Sequence, residues 1–223
     1  MLVAIEGIDG AGKGTLTKGL TARAGAAGLS VATLSFPRYQ QTSFSRLIAE
    51  YLNGDYGALD AVPPRFAALL YAGDRFESRA LLDGLIAGHD LVICDRYVAS
   101  NMAYQSARLP AAERAGFLAW LARTEFEHFG LPRPDLTLLL ATDTATADAL
   151  VARKAQRSYT EATRDLHEAA GDLMARVAAV YVELASADPD GWRPVQALDG
   201  AGALRPPAAI ADDAWALVQA RLG

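Results

Sequence analysis

Seven residues near the start of the chain, Gly7-Ile8-Asp9-Gly10-Ala11-Gly12-Lys13, have the composition of a phosphate cradle. Glycines let the backbone curl until successive N–H groups face inward and bond anionic oxygens. A helix that starts directly after the loop adds the partial positive charge of its N-terminus. Lys13 then sets a full charge beside the bridging oxygens of a nucleoside triphosphate. The spacing fits the first seven positions of a Walker A loop, so the ATP-binding segment is read as Gly7, Ile8, Asp9, Gly10, Ala11, Gly12, Lys13, Gly14 and Thr15. One position departs from the pattern. The residue after the lysine is normally Ser or Thr, whose hydroxyl ligates magnesium; here it is Gly14, and Thr15 comes one later. A second acid is Asp95, which follows the apolar run Leu91-Val92-Ile93-Cys94. A carboxylate at the carboxyl end of a buried strand can hold a metal ion or its water shell beside such a loop.

These groups need a scaffold, and the apolar pattern supplies one. Leu2-Val3-Ala4-Ile5 and Leu91-Val92-Ile93-Cys94 are continuous apolar runs, the pattern of strands covered on both faces. Ser30–Ser35, Leu136–Ala141 and, more weakly, Pro194–Leu198 read as three further strands. Between them lie predicted helices at Gly14–Ala27, Ser43–Leu52, Pro63–Ala87, two over Val98–Phe129, Thr144–Gln156, Asp165–Ala185 and Ala208–Leu222. Strands alternating with helices mean βαβ units, a parallel sheet and right-handed crossovers. Pro37 makes Phe36-Pro37-Arg38-Tyr39 a loop after the second strand.

Composition narrows the class. The 223 residues are 52% apolar, which excludes disorder, and the single Cys94 excludes a disulfide scaffold. The length suits one α/β domain. No apolar run nears the roughly 20 residues of a membrane helix, so no membrane partner is expected. Met1 to Glu6 has no basic lead and is not a secretory signal, which makes a cytoplasmic location the expectation. A net charge of −5 argues against broad nucleic-acid binding. It leaves room for a small anionic ligand held by a local cluster of arginines.

Four linked segments narrow the function: Asp9-Gly10, Phe36-Pro37-Arg38, Asp74-Arg75 and Asp95-Arg96-Tyr97, completed by Ser100, Ala103, Tyr104 and Gln105. In this order they resemble the thymidylate kinases, the actinobacterial enzymes above all, from Leu2 to about Leu184. The resemblance implies transfer of the γ-phosphoryl of ATP to dTMP, giving dTDP and ADP for dTTP synthesis. It also implies a P-loop kinase fold over residues 1–223, with a five-stranded parallel sheet, helices on both faces and a mobile lid at about 153–164. Magnesium and a homodimer follow from it too.

Carried over by position, Arg38 and Arg96 clamp the dTMP phosphate, a task suited to permanently charged, bidentate guanidiniums. Phe36 and Tyr39 border the dTMP site, Tyr71 stacks on thymine, and Arg75 bonds a base carbonyl. Asn101 and Tyr104 fall beside base and sugar, and Asp9 near the acceptor sugar and metal. Asp165 matches a family position at dTMP, and Glu168 joins Asp9 and Asp95 toward the metal, while His167 replaces a tyrosine of close relatives. Arg153, Lys154 and Arg157 supply the lid with the cations that the phosphate loop lacks. The reacting set is then Asp9, Lys13, Arg96, Arg153 and Arg157. No general base is required, because a phosphate oxygen is already an anionic nucleophile; the work is positioning and charge stabilisation.

Plainer readings stand beside these. Arg38 can be a surface loop residue, and Tyr71 a core residue with Phe66, Leu69 and Leu70. Arg75 has no acid three or four residues away and can be a solvated helix charge. The lid cations can be solvated too, and Cys94 is a small core residue. Two rival functions also fit the phosphate loop. One is a kinase for another nucleoside monophosphate or a deoxynucleoside, since Gly12-Lys13-Gly14-Thr15 alone favours adenylate kinase. The other is a nucleotide-binding regulator without turnover, although the chain has no Asn-Lys pair of the GTPase type.

Overall fold

The computed structural model describes residues 1–58, 60–155 and 164–222, with side chains described through residue 150 and from 172 onward. Among them, β1 (Leu2–Glu6), β2 (Val31–Ser35), β3 (Leu91–Asp95), β4 (Leu136–Ala141) and β5 (Trp192–Gln196) form one parallel sheet in the order β2-β3-β1-β4-β5. The fold class expected from the sequence is the one observed. The two faces of β1 explain its unbroken apolar run. Val3 and Ile5 join a core with Leu16, Leu20, Leu138, Val177 and Val218, whereas Leu2 and Ala4 join another with Val92, Cys94, Leu82 and Leu131. Helices α1 (Lys13–Ala26), α8 (Arg164–Ala187) and α9 (Pro207–Leu222) contribute to the first of these layers, and α4 (Arg79–Gly88) and α5 (Val98–Ser106) to the second.

The remaining helices are α2 (Ser43–Asn53), α3 (Pro64–Glu77), α6 (Ala111–Ala122) and α7 (Thr144–Ala155). Three boundaries differ from the sequence reading. The helix expected over Pro63–Ala87 is two helices meeting at Ser78, whose amide bonds both Asp74 O and Arg75 O and whose hydroxyl donates back to Asp74 O at 2.7 Å. That back-bond competes with the regular ladder and ends α3. After α6 the chain continues as a π-helical turn over Arg123–His128, so Val98–Phe129 holds three segments where two were expected. β5 starts at Trp192, two residues early, because it pairs with β4 from Thr137 onward; Pro194 is tolerated since β5 is an edge strand.

The carboxyl ends of three strands finish level. Ile5 and Ser35 both pair with Asp95 across the sheet. Just beyond, the Arg96 amide donates to Ile5 O at 3.0 Å and the Phe36 amide to Asp95 O at 3.1 Å. The glycine loop after β1, the Phe36 loop after β2 and Arg96 after β3 therefore open into one crevice, the usual ligand position of an open α/β sheet.

Candidate active site

The donor half is the glycine loop. Gly7, Gly10 and Gly12 have φ of 148°, 82° and 96°, conformations that side chains disfavour. A Cβ at Gly7 would stand 2.9 Å from the Leu140 carbonyl oxygen. Gly12 caps α1 without a side chain, and its carbonyl already takes the Thr15 and Leu16 amides at 3.0 Å, so the Lys13 and Gly14 amides are the ones left for a ligand at this helix start. Lys13 is only 7% exposed and lies under the loop, donating from Nζ to Ile8 O at 2.7 Å and Gly7 O at 3.0 Å. Burial lowers its pKa to about 8; the positive Arg96 lowers it further, while Asp9, Asp95 and Glu6 oppose. Across the loop, a Cβ on Gly14 would stand 3.5 Å from Asp95 Oδ2, which puts that carboxylate against the first turn of α1.

The acceptor half is a cleft of about 220 Å³ between the Phe36 loop, α3 and α5. Arg96 lies at its phosphate-loop end. Its φ of 67° is unusual for a side-chain-bearing residue and turns the guanidinium back over the cleft. Nη2 pairs with the exposed Asp9 carboxylate, Nη1 donates to Ser100 Oγ at 3.2 Å, and the group stands 5.2 Å from the Tyr104 ring centre. Burial would lower its pKa, yet Tyr104, Tyr181, Asp9 and Glu6 together hold it above the ordinary arginine value. Tyr39, half exposed, and Tyr71 line the cleft wall with Phe36. Burial raises the pKa of Tyr39, Tyr71 and Tyr104, so all three stay neutral phenols.

At the far end Arg75 and Asn101 line the cleft from α3 and α5. Neither is solvated: Arg75 is 2% exposed and pairs with Glu125 of the π-helical turn, through Nε to one oxygen and Nη2 to the other at 2.6 Å. Asn101 Nδ2 donates to Ala68 O at 2.9 Å and to Glu125 Oε1 at 2.8 Å. Its Oδ1, like Tyr104 Oη, is buried without a hydrogen-bond partner among the described residues. Orphaned polar atoms in a cleft mark where a ligand bonds.

Behind the cleft lies Glu6, the last residue of β1. It is fully buried and accepts from the Tyr97 amide (2.8 Å), the Ser100 amide (3.2 Å) and hydroxyl, and Tyr181 Oη (2.9 Å). The carboxylate thus closes the open N-terminus of α5 and fixes the Asp95-Arg96-Tyr97 turn.

Of the residues expected from the sequence, Asp9, Phe36, Tyr39, Tyr71, Arg75, Arg96, Asn101 and Tyr104 meet in the cleft. Arg38 does not line it. Its amide donates to Asp74 Oδ2 at 2.9 Å and its Nη1 to Ser78 Oγ at 3.1 Å, so it braces the Phe36 loop against α3. The side chains of Arg153, Lys154, Asp165, His167 and Glu168, and Arg157 altogether, lie outside the described residues. Glu6, Glu125 and Tyr181 support the site without belonging to any motif in the sequence. Glu6 offered a signal, an acid ending an apolar strand; Glu125 offered none. Among the described residues no cluster of three or more Asp, Glu, His or Cys could bind a metal ion unaided. The donor set, Asp9 and Asp95 beside an anion cradle, suits magnesium, which takes one or two carboxylates and completes its shell with phosphates and water.

A family model described as thymidylate kinase matches residues 5–199. A thymidylate kinase of Mycobacterium tuberculosis (strain CDC 1551 / Oshkosh) is 46% identical over 192 residues, 86% of this chain and 87% of its own. One from Thermomicrobium roseum is 34% identical over 218 residues, 97% of this chain and 93% of its own. The solved thymidylate kinase of Candida albicans matches with a TM-score of 0.71 at 24% identity, covering 100% of this chain and 93% of that one; at this identity the likeness is one of fold.

Proposed function

Because the chain belongs to the thymidylate kinase family and so carries ATP-dependent dTMP kinase activity, we propose that the cleft is the dTMP site and the glycine loop the ATP site. One observation carries the assignment of the base. Asn101 and Arg75 both bond the same oxygen of Glu125, so they lie side by side. Asn101 offers an open acceptor, Oδ1, and Arg75, whose Nε and Nη2 bond Glu125, carries further N–H donors on the same guanidinium. An acceptor beside a donor matches N3–H and O4 of thymine. Tyr71 stacks on the ring, and Tyr104 Oη lies at the sugar.

Arg96 exchanges Asp9 for the dTMP phosphate, and its planar guanidinium suits bidentate bonding to two phosphate oxygens. The loop amides and Lys13 hold the β- and γ-phosphates; Lys13 exchanges the Gly7 and Ile8 carbonyls for phosphate oxygens. The acceptor oxygen is already anionic, so no side chain abstracts a proton. Arg38 holds the Phe36 loop in place and shares the clamp only through it. Magnesium, held by Asp9 and Asp95, with Glu168 as a further candidate ligand, would neutralise phosphate charge. Arg153 and Arg157 close over the transferring group, and Asp165 borders dTMP.

Residues 1–223 act as one domain. Phe66, Leu69 and Phe76 are 52%, 39% and 49% exposed on one face of α3, and this apolar stripe favours a homodimer built on that helix. A cytoplasmic location suits the free Cys94 and the nucleotide substrates. Among the described residues no helix is long and apolar enough to cross a membrane. The net charge of −5 disfavours a nucleic-acid partner. The test is ADP release with ATP and matched concentrations of dTMP, dUMP, UMP, dCMP or AMP. dTMP should be the fastest acceptor; faster turnover of AMP or UMP would overturn the reading.

A further inference from the structure

We propose that Glu125 is the positioning residue that sets which pyrimidine the cleft accepts, by fixing the orientation of the Asn101 amide and the fork of Arg75. The inference rests on the base-reading role assigned above to those two residues. Glu125 is 0% exposed and does not line the cleft, so it acts through them. It stands where the helix widens: the Phe129 amide reaches back to Thr124 O at 2.9 Å and the Leu131 amide to Glu125 O at 3.0 Å. Such π-helical turns recur at functional sites.

The amide orientation follows from counting donors. Asn101 Nδ2 has two hydrogens, and both are used, one by Ala68 O and one by Glu125 Oε1. Inverting the amide would set Oδ1 against a carbonyl and a carboxylate, neither of which can donate. Oδ1 must therefore stay on the open side as an acceptor. The same carboxylate holds Nε and one hydrogen of Nη2 of Arg75, which fixes the fork and leaves only donors, on Nη1 and Nη2, for a ligand. Glu125 thus imposes the order acceptor-then-donor. Thymine, with N3–H beside C4=O, meets it with two hydrogen bonds. Cytosine, with an unprotonated N3 beside an amino group, meets it with acceptor against acceptor and donor against donor. Each buried mismatch of this kind lowers the preference by about 10-fold or more. A site built to hydrogen-bond its substrate discriminates steeply. Stability alone is a poor explanation of the carboxylate, since a buried ion pair is often matched by apolar residues of equal volume.

The measurement is steady-state kinetics for dTMP and dCMP, with melting temperature as a check on folding. In the wild type a strong preference for dTMP tests the base-reading role itself; its absence would refute that role before Glu125 is considered. Glu125→Gln keeps the shape but replaces one acceptor by a donor, which opposes Asn101 Nδ2 and Arg75 Nη2 in one amide orientation and Arg75 Nε in the other, so at least one of the two base-reading groups is displaced. The ratio of dTMP to dCMP kcat/KM should fall on the order of 100-fold, through a higher dTMP KM, with the ATP KM within about two-fold. A folded Glu125→Gln enzyme with wild-type selectivity overturns the inference. Glu125→Asp keeps the charge, withdraws it by one methylene, and decides the matter if the glutamine variant does not fold. Its dTMP KM should rise about 10-fold while its ATP KM holds; wild-type KM and selectivity in that variant would also overturn it.

Discussion

Replacing Lys13 by methionine should make the ligand-free protein more stable at neutral pH while removing its turnover. Lys13 is 7% exposed, and burial takes its pKa from the ordinary 10.5 to about 8. Between those two values the unfolded chain binds more protons than the folded one, so stability rises with pH across that window. Below pH 8 the folded protein carries the buried charge at a cost of about 3 kcal/mol. Methionine spans a similar length without the charge. It forfeits the hydrogen bonds to Gly7 O and Ile8 O, about 1–2 kcal/mol together. The net expectation at pH 7 is a gain of about 1–2 kcal/mol. At pH 10 the wild type has shed most of the penalty, and the variant should be no more stable than it. Urea unfolding of both proteins at pH 7 and pH 10, followed by tryptophan fluorescence, gives the difference directly. A wild-type-to-variant gap that is the same at both pH values, to within about 0.5 kcal/mol, refutes the reasoning. The same logic predicts proton uptake on ATP binding above pH 8. ATP affinity should weaken through that range in the wild type but not in Lys13→Met.

Two more outcomes follow from the cleft and from the lid. Tyr104 stands by the Arg96 guanidinium, and its hydroxyl has no hydrogen-bond partner among the described residues; on the proposal that the ring borders the acceptor sugar at its 2′ position, Tyr104→Ala should relax discrimination against the ribonucleotide more than it slows dTMP, and an unchanged ratio in acceptor kinetics would place the ring elsewhere. Arg153→Ala or Arg157→Ala should lower the turnover number by on the order of 10³ with dTMP affinity near wild type, measured by turnover and calorimetry; normal turnover in both variants would make these arginines surface charges.

Much of this molecule was legible before any coordinates. β1 and β3 contribute to both cores, so each is an apolar run that leaves little choice of reading, and β4 is nearly so, with Thr137 its one polar residue. The glycine loop was legible because its chemistry is local: spacing alone places the amides and Lys13. The resemblance puts Arg75 at the base, and it does line the cleft, but its ion pair is not legible, because Glu125 lies 50 residues away and no neighbour on its own helix reveals it. The break at Ser78 escaped notice, since a serine back-bond leaves no mark in hydrophobic periodicity. The resemblance implies a phosphate role for Arg38, while the contacts it makes here, to Asp74 and Ser78 some 36 and 40 residues on, leave no mark in the local sequence. Glu125 was beyond reach for a related reason. A π-helical turn shifts the phase of a helix, and the surrounding sequence carries no trace of the shift.

The carboxylate of Glu6 also has a bearing on how the chain comes together. Its partners are Tyr97, Ser100 and Tyr181, at 91, 94 and 175 residues along the sequence. A nascent chain made from the N-terminus exposes the glycine loop long before those donors exist, and this acid must stay hydrated until they arrive. Contacts of such separation demand large loop closures and form late. Burying the group earlier, in a partly collapsed chain, would strand a charge without donors. Such an intermediate is penalised relative to the complete fold. The wall of the acceptor site around Glu6 is therefore complete only once α8 has brought Tyr181 against the first strand.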